Sequence, residues 1–514
     1  MEGNNKNRYE RFGETRNPRP KLRTVNRNQL VFRPANVDEL IPQDHQARGI
    51  WEFVEGLDLT PFYDSIASVE GEAGRSAFDP QMLISLWVYA YSRGIGSARE
   101  ISRLCETDPA FEWLTGYQSI NAHTLSDFRV MHKQGLDDLF KQVLGLLSSV
   151  GLIKLEQVTQ DGTKVQANAS SKTFRSDDKL HEHLEAAQKQ VAAMGDPNQE
   201  PKKQNKSEAR KAAAARDRQE RVKQALNEAE KLPIKKRGKS KCKSKKPKAS
   251  TTDPDSRMMK HGHGGVLPSF NLQMSVDSEA KMIIDVDVTN AANDSEQLVP
   301  AMQRLEQTFD RKPRQVIADG DYTNYKSVAA MADLKIDFYG SWKKIGKKSK
   351  FGWRGLSEAF YPQQFHYVSE RDVYVCPMGQ TLVYRTTINH PNGTKSRLYR
   401  AAASDCTACP HHNQCCPRSL PKGRGRTISR LWMPESVLSF KEKMQTEDAK
   451  QIYSKRSEVA EFPNLWLKTK IGLKQFYLRG LAKVTDEAKW AALAYNIHHW
   501  LRLRPLPAES EAII

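Results

Sequence analysis

The sequence predicts an α/β core preceded by an all-α domain and interrupted by two insertions, one basic and helical, the other cysteine-rich and β. Three observations carry this reading. The hydrophobic period is helical from about 36 to 150, mixed after a long polar stretch, and helical again from about 434. Residues 175–250 are dominated by Lys, Arg, Ala and Glu. Five of the seven cysteines fall between 376 and 416. A chain of 514 residues exceeds one ordinary core, so two to four domains are expected. A hydrophobic fraction of 38% with 27% charged residues fits folded domains diluted by polar sequence.

Residues 1–35 are polar and basic and read as a flexible arm. They have no apolar core, so they are not expected to be a secretory signal. No later stretch is long and apolar enough to span a membrane, and the expected compartment is the cytoplasm. Residues 36–150 read as a helical DNA-binding or assembly domain. Asp79 before Pro80 is an N-cap followed by proline at the first helical position, opening PQMLISLWVYAYSRG. Gly94 and Gly96 end that helix, and two further helical groups follow. Short helices joined by glycine turns are compatible with a helix-turn-helix, and equally with any small bundle.

The insert at 175–250 contains two runs of strong helix formers, so an exposed helical hairpin is expected, followed by a disordered lysine-rich tail. Residues 201–250 hold 19 Lys or Arg against 5 Asp or Glu, which is +14 of the formal +19. The net charge favours a polyanionic partner, but that argument rests mostly on this one segment.

The mixed region runs 151–342 and resumes at 434–505. LEQVTQDGTKVQ reads as a strand carrying Asp161. FNLQMSVD and KMIIDVDVT are two more strands, and RQVIA is a buried strand running into Asp319. Helices alternate with the later strands, and Glu461 falls on a late helix. A three-stranded meander followed by alternating helices and strands is the ribonuclease H-like layout. Its acids sit on the first strand, the fourth strand and a late helix, where Asp161, Asp319 and Glu461 fall. Phosphodiester chemistry needs such acids, because two Mg²⁺ ions held by carboxylates can activate the nucleophile and stabilise the leaving oxygen. Asp321 is a further candidate ligand, since positions i and i+2 on a strand point the same way. Glu458 is a weaker candidate for the third acid.

Residues 343–433 read as a β insertion holding the cysteines. Cys376, the pair Cys406-x2-Cys409, and either Cys415 or Cys416 suit a tetrahedral structural Zn²⁺, with His411 and His412 as substitutes. Cys105 and Cys242 stand apart from this group.

Four blocks then carry a resemblance: DGTKVQANAS at 161–170, STTDPDSRMMKHG at 250–262 with FNLQMSVD after it, VIADGDY at 316–322, and Tyr453-x2-Arg456-x4-Glu461-x6-Lys468 followed by Gly472 and Arg479–Gly480. Over residues 36–500 the chain resembles DDE transposases of bacterial insertion sequences, in the group with an InsH-like N-terminal domain and a cysteine-rich insertion. The resemblance implies that Asp161, Asp319 and Glu461 hold Mg²⁺ or Mn²⁺, and that Tyr453, Arg456, Lys468 and Arg479 contact DNA. It implies cleavage at the element's terminal inverted repeats and strand transfer into target DNA. It also implies a homodimer or larger assembly on paired ends. Gly320-Asp321-Tyr322 departs from the family's Ala-Gly-Tyr. The family's proline directly after the Glu is displaced here to Pro463. A catalytically inactive or domesticated DNA-binding relative and a same-fold nuclease that joins no strands share these residues.

Overall fold

A computed structural model describes residues 36–68, 76–194, 206–232, 247–262, 264–342, 355–390, 395–417, 424–432 and 434–503. The arm at 1–35, most of the lysine-rich tail of the insert and Cys242 lie outside the described residues.

The N-terminal unit is all helical: α1 (Gln46–Glu55), α2 (Thr60–Tyr63), α3 (Pro80–Ser92), α4 (Ala98–Leu104), α5 (Pro109–Thr115), α6 (Ala122–Met131) and α7 (Lys133–Ser149). The Asp79 carboxylate accepts from the Gln81 N–H at 2.9 Å, and Pro80 occupies the first turn. Every residue from Met82 to Tyr91 is buried. A helix apolar all round must be covered on all sides, and the last helix of the chain supplies part of that cover.

The first strand, β1 (Gln157–Gln166), is followed by β2 (Phe174–Ser176), α8 (Asp177–Ala192), α9 (Lys206–Glu230) and β3 (Lys248–Ser250). The helices α8 and α9 pack as a hairpin around Leu180, Ala225, Leu226 and Ala229. β2 and β3 pair antiparallel at its base, with Ser176 opposite Lys248.

The core sheet then continues with β4 (Arg257–Lys260), β5 (Val266–Asp277), β6 (Ile283–Thr289), β7 (Gln315–Ala318) and β8 (Asp337–Gly340), with α10 (Leu298–Phe309) and α11 (Tyr325–Asp333) between its last three strands. Across the sheet the order is β6-β5-β1-β7-β8, and β4 extends the β6 edge of β5. β5 is antiparallel to β1 and β6, while β1, β7 and β8 are parallel. Leaving out the short β2, β3 and β4, this is 3-2-1-4-5 in order of appearance, a meander followed by two parallel strands, as in the ribonuclease H-like layout.

A second sheet of five antiparallel strands follows: β9 (His366–Val368), β10 (Val373–Val375), β11 (Thr381–Asn389), β12 (Lys395–Arg400) and β13 (Thr427–Trp432). Two short helices, α12 (Ala403–Thr407) and α13 (His412–Cys415), sit between its last strands. The chain returns to the core through α14 (Glu435–Lys443), α15 (Glu447–Ser454), α16 (Arg456–Thr469) and α17 (Leu481–Leu503).

α17 packs on α1, α3 and α7 and also on β6. Asn496 closes the sheet edge: its amide donates to the Ile283 carbonyl at 2.8 Å, and its side-chain oxygen accepts from the Ile283 N–H at 2.9 Å. An edge strand is thereby capped by a helix rather than left open for pairing. Helical unit and sheet consequently share one apolar core.

Candidate active site and metal centres

β1 and β7 pair in parallel from Gln157–Gln315 to Gln160–Ala318. Asp161 and Asp319 are the next residue on each chain, so the register leads them out side by side. Neighbouring strands lie roughly 4.8 Å apart. Asp161 remains within β1, its side chain 19% exposed. Burial pushes its carboxyl up to about 6; Arg456 and the Gly162 N–H oppose the rise, and the negative Asp319 and Asp294 add to it. After Ala318 the chain turns. The Asp319 carboxylate accepts from the Asp321 N–H at 2.7 Å and the Tyr322 N–H at 3.4 Å.

That turn changes the expectation for Asp321. Strand alternation does not reach it, because β7 ends at Ala318 and Asp321 is exposed on the turn. Tyr322 instead drives inward, fully buried, and its hydroxyl donates to Gln273 at 2.5 Å. Gln273 and Asn271 on β5 both donate to Asp294, at 2.7 and 2.6 Å. Lys164 lies 3.5 Å from the same carboxylate. Gly162 lies against this network: an added Cβ would come within 2.8 Å of Asp294 and of the Tyr322 hydroxyl. The Asp161–Gly162 pair therefore serves the packing of this network.

α16 crosses β1 and β5. It brings Arg456 to 3.9 Å from one Asp161 oxygen and Asn464 to 2.6 Å from the other. One turn further on, Lys468 donates to the Thr163 hydroxyl. Glu461 lies on the same helix but is exposed, one turn before Asn464. Glu458, the weaker candidate, is also exposed and pairs with Lys281 at 2.9 Å. Among the described residues no three His, Cys, Asp or Glu side chains stand close enough together to hold a metal ion. The donor set at β1 still suits a hard cation. Two carboxylates converge, and the Asn464 side-chain oxygen is buried without a hydrogen-bond partner. Mg²⁺ prefers such oxygen donors.

Tyr453 packs with Ile317 and Tyr339 beside the end of β8. Arg479 donates to the Asn168 carbonyl at 3.0 Å, and Asn168 donates to the Tyr477 carbonyl at 2.7 Å. Asp253 and Asp255 accept from the Gly480 and Leu481 N–H groups at 3.1 and 2.7 Å. The Ala-Asn, Asp-Pro-Asp and Arg-Gly segments, far apart in sequence, thus tie down one loop ahead of α17. Sequence reasoning missed this clamp, as it missed Asn464 and Asp294, because none of these contacts is local.

The five clustered cysteines, with His412 and Phe360, line one small cavity of about 30 Å³ in the second sheet. Cys376 accepts from the Gln380 N–H at 3.3 Å across a turn in which Gly379 has φ +79°, and Cys406 accepts from the Arg426 N–H at 3.1 Å. Sulfur donors of this kind are those a structural Zn²⁺ takes, but among the described residues these side chains are not drawn together into a metal-holding group. His412 lines the cavity, with Nδ1 2.6 Å from the Cys406 carbonyl oxygen. His411 packs against Phe360. Cys105 is buried in the N-terminal unit, far from this group in the fold.

Comparison with known proteins gives two family matches. Residues 375–501 match the transposase DDE domain, and residues 35–131 match a transposase domain (DUF772). The first match spans the cysteines, Glu461 and Lys468 but begins after Asp161 and Asp319. No curated protein matches the chain. Among solved structures, a cryo-EM piggyBac transposase synaptic complex with hairpin DNA aligns at 10% identity, covering 92% of this chain and 82% of that one, with a TM-score of 0.23. No helix among the described residues is long and apolar enough to cross a membrane.

Proposed function

We propose that this chain, two segments of which match transposase domains, is a DDE transposase of the kind found in bacterial insertion sequences, which binds the ends of its own element, cleaves DNA there and joins the freed 3′ ends to target DNA. The observation that carries the chemistry is the parallel register that leads Asp161 and Asp319 out side by side. Glu461, one turn along α16 from Asn464, is the proposed third acid. Divalent ions held by these oxygens would supply Lewis acidity toward the attacking and leaving oxygens. The chain's own groups do the positioning. Arg456 and Asn464 fix the Asp161 carboxylate, the 319–322 turn fixes Asp319, and Lys468 offers a cation beside the acids for a backbone phosphate. Tyr453 and Arg479 extend that contact along the DNA. The helical unit at 36–150 and the basic insert at 175–250 are proposed to hold the duplex, and a dimer or larger assembly to pair the two ends. Zn²⁺ on Cys376, Cys406, Cys409 and Cys415 or Cys416 is proposed to be structural.

The test is an assay of purified protein with Mg²⁺ or Mn²⁺ on DNA carrying the element's terminal repeats. Nicked and joined products are expected from the wild type, and end binding without cleavage from Asp161→Ala. Normal cleavage by that variant would overturn the mechanism. Cleavage without joined products would reduce the protein to a nuclease.

A further inference from the structure

The strands β11, β12 and β13 carry Arg385, Lys395, Arg397, Arg400 and Arg430 and not one Asp or Glu. Their register sets Lys395 opposite Trp432 and Arg397 opposite Arg430. Alternate residues on a strand share a face, so these four lie together. Further along the same face, Tyr399 and Ile428 are buried beside the cysteine-lined cavity. One half of the face is therefore anchored and the other half is open.

The open half is neither a core nor an ordinary solvated surface. Trp432 is 54% exposed and Tyr384 43%. Arg430 lies 3.6 Å over the Tyr367 ring and Arg397 5.5 Å over the Tyr384 ring. Stacking holds the guanidinium planes in place while leaving N–H donors at their edges. Arg397 pairs with Asp372 at 3.1 Å. Two tyrosine hydroxyls, those of Tyr367 and Tyr399, already donate to that carboxylate, at 2.8 and 2.6 Å. Cations held by aromatic rings beside an exposed indole, on strands without an acid, complement a polyanion.

We propose that this half-face is a binding surface for the sugar-phosphate backbone of duplex DNA, outside the cleavage site. Lys395, Arg397 and Arg430 take phosphates, and Trp432 lies against the sugars. The proposal rests on the transposase reading, because that reading supplies the DNA.

The experiment measures binding of the full-length, zinc-loaded protein to an element-end duplex by fluorescence anisotropy between about 50 and 200 mM salt. Each phosphate contact contributes roughly 0.9 to the slope of log K against log salt. The triple variant Lys395→Ala, Arg397→Ala, Arg430→Ala is expected to lower that slope by about two to three, with unchanged zinc content and circular dichroism. Arg430→Lys is expected to keep the slope. Trp432→Ala is expected to weaken binding several-fold at unchanged slope, since an indole displaces no counterion. A triple variant that keeps the wild-type slope would overturn the surface while leaving the transposase reading intact. A wild type that binds no DNA would overturn both.

Discussion

At Asp161 a single carboxyl carries opposing demands. Its pKa is raised in the fold to about 6 from an ordinary value of 3.8, so the folded state holds the proton more tightly than the unfolded state. For an acid shifted upward, stability is lost as pH rises through that window and the cost is complete above about 6. Asp161→Asn should therefore stabilise the metal-free protein at pH 7, on the order of 1–3 kcal/mol, and abolish cleavage. Thermal unfolding of the two proteins without and with Mg²⁺ measures this, and an unchanged or lower midpoint in the metal-free variant would contradict it. Protons and metal compete for the same oxygens, so Mg²⁺ affinity should fall as pH drops through about 6, readable by calorimetric titration. Gly162→Ala should cost roughly 1–3 kcal/mol, because its methyl would press on Asp294 and Tyr322; a urea titration gives the value. Asp161 and Asp319 were read from the sequence as acids on two strands, Asp319 directly after the apolar run Val316–Ala318 and Asp161 in the middle of β1. Asn464 was not, since it meets Asp161 across 303 residues and only the crossing of α16 over β1 brings them together.

Whole elements show where sequence pattern suffices. Amphipathic periodicity marks α10, the Asp79–Pro80 start and a continuous apolar run mark α3, and the run of helix formers marks the α8–α9 hairpin. Each is a local property. The second sheet is different: its exposed strands have little apolar alternation, and five cysteines take the place of a larger core. If they bind zinc, removing the metal should loosen β9–β13 and spare the ribonuclease H-like sheet. Limited proteolysis after treatment with a strong chelator should then cut first between residues 355 and 432. Uniform cutting across the chain would mean that the metal, if present, does not hold this sheet. The basic character of β11–β13 was overlooked because net charge is an average. The insert supplies most of the excess, but the sheet segregates its cations from acids, and segregation makes a binding face.

For the molecule as a whole, α17 is the central fact. It is buried on nearly every side from Val484 to Ile497, touching α1, α3 and α7 along one flank and β6 along another. The sequence shows helical pattern here, but not that this helix joins two units. Residues 36–150 expressed alone should fail to fold, because α3 would lose the cover that α17 provides. Calorimetry of the full chain should show helical unit and core sheet melting together; two separable transitions for them would contradict a shared core.

The small β2–β3 ladder has a wider consequence. It sets Ser176 opposite Lys248, so everything between them leaves and rejoins the core through one neck. Such a neck works as a socket: what is plugged into it can lengthen, shrink or be exchanged while β1 and β5 keep their path. On the proposed function, grip on DNA would be rewritten in this one cassette while the sheet that carries Asp161 and Asp319 stays as it is.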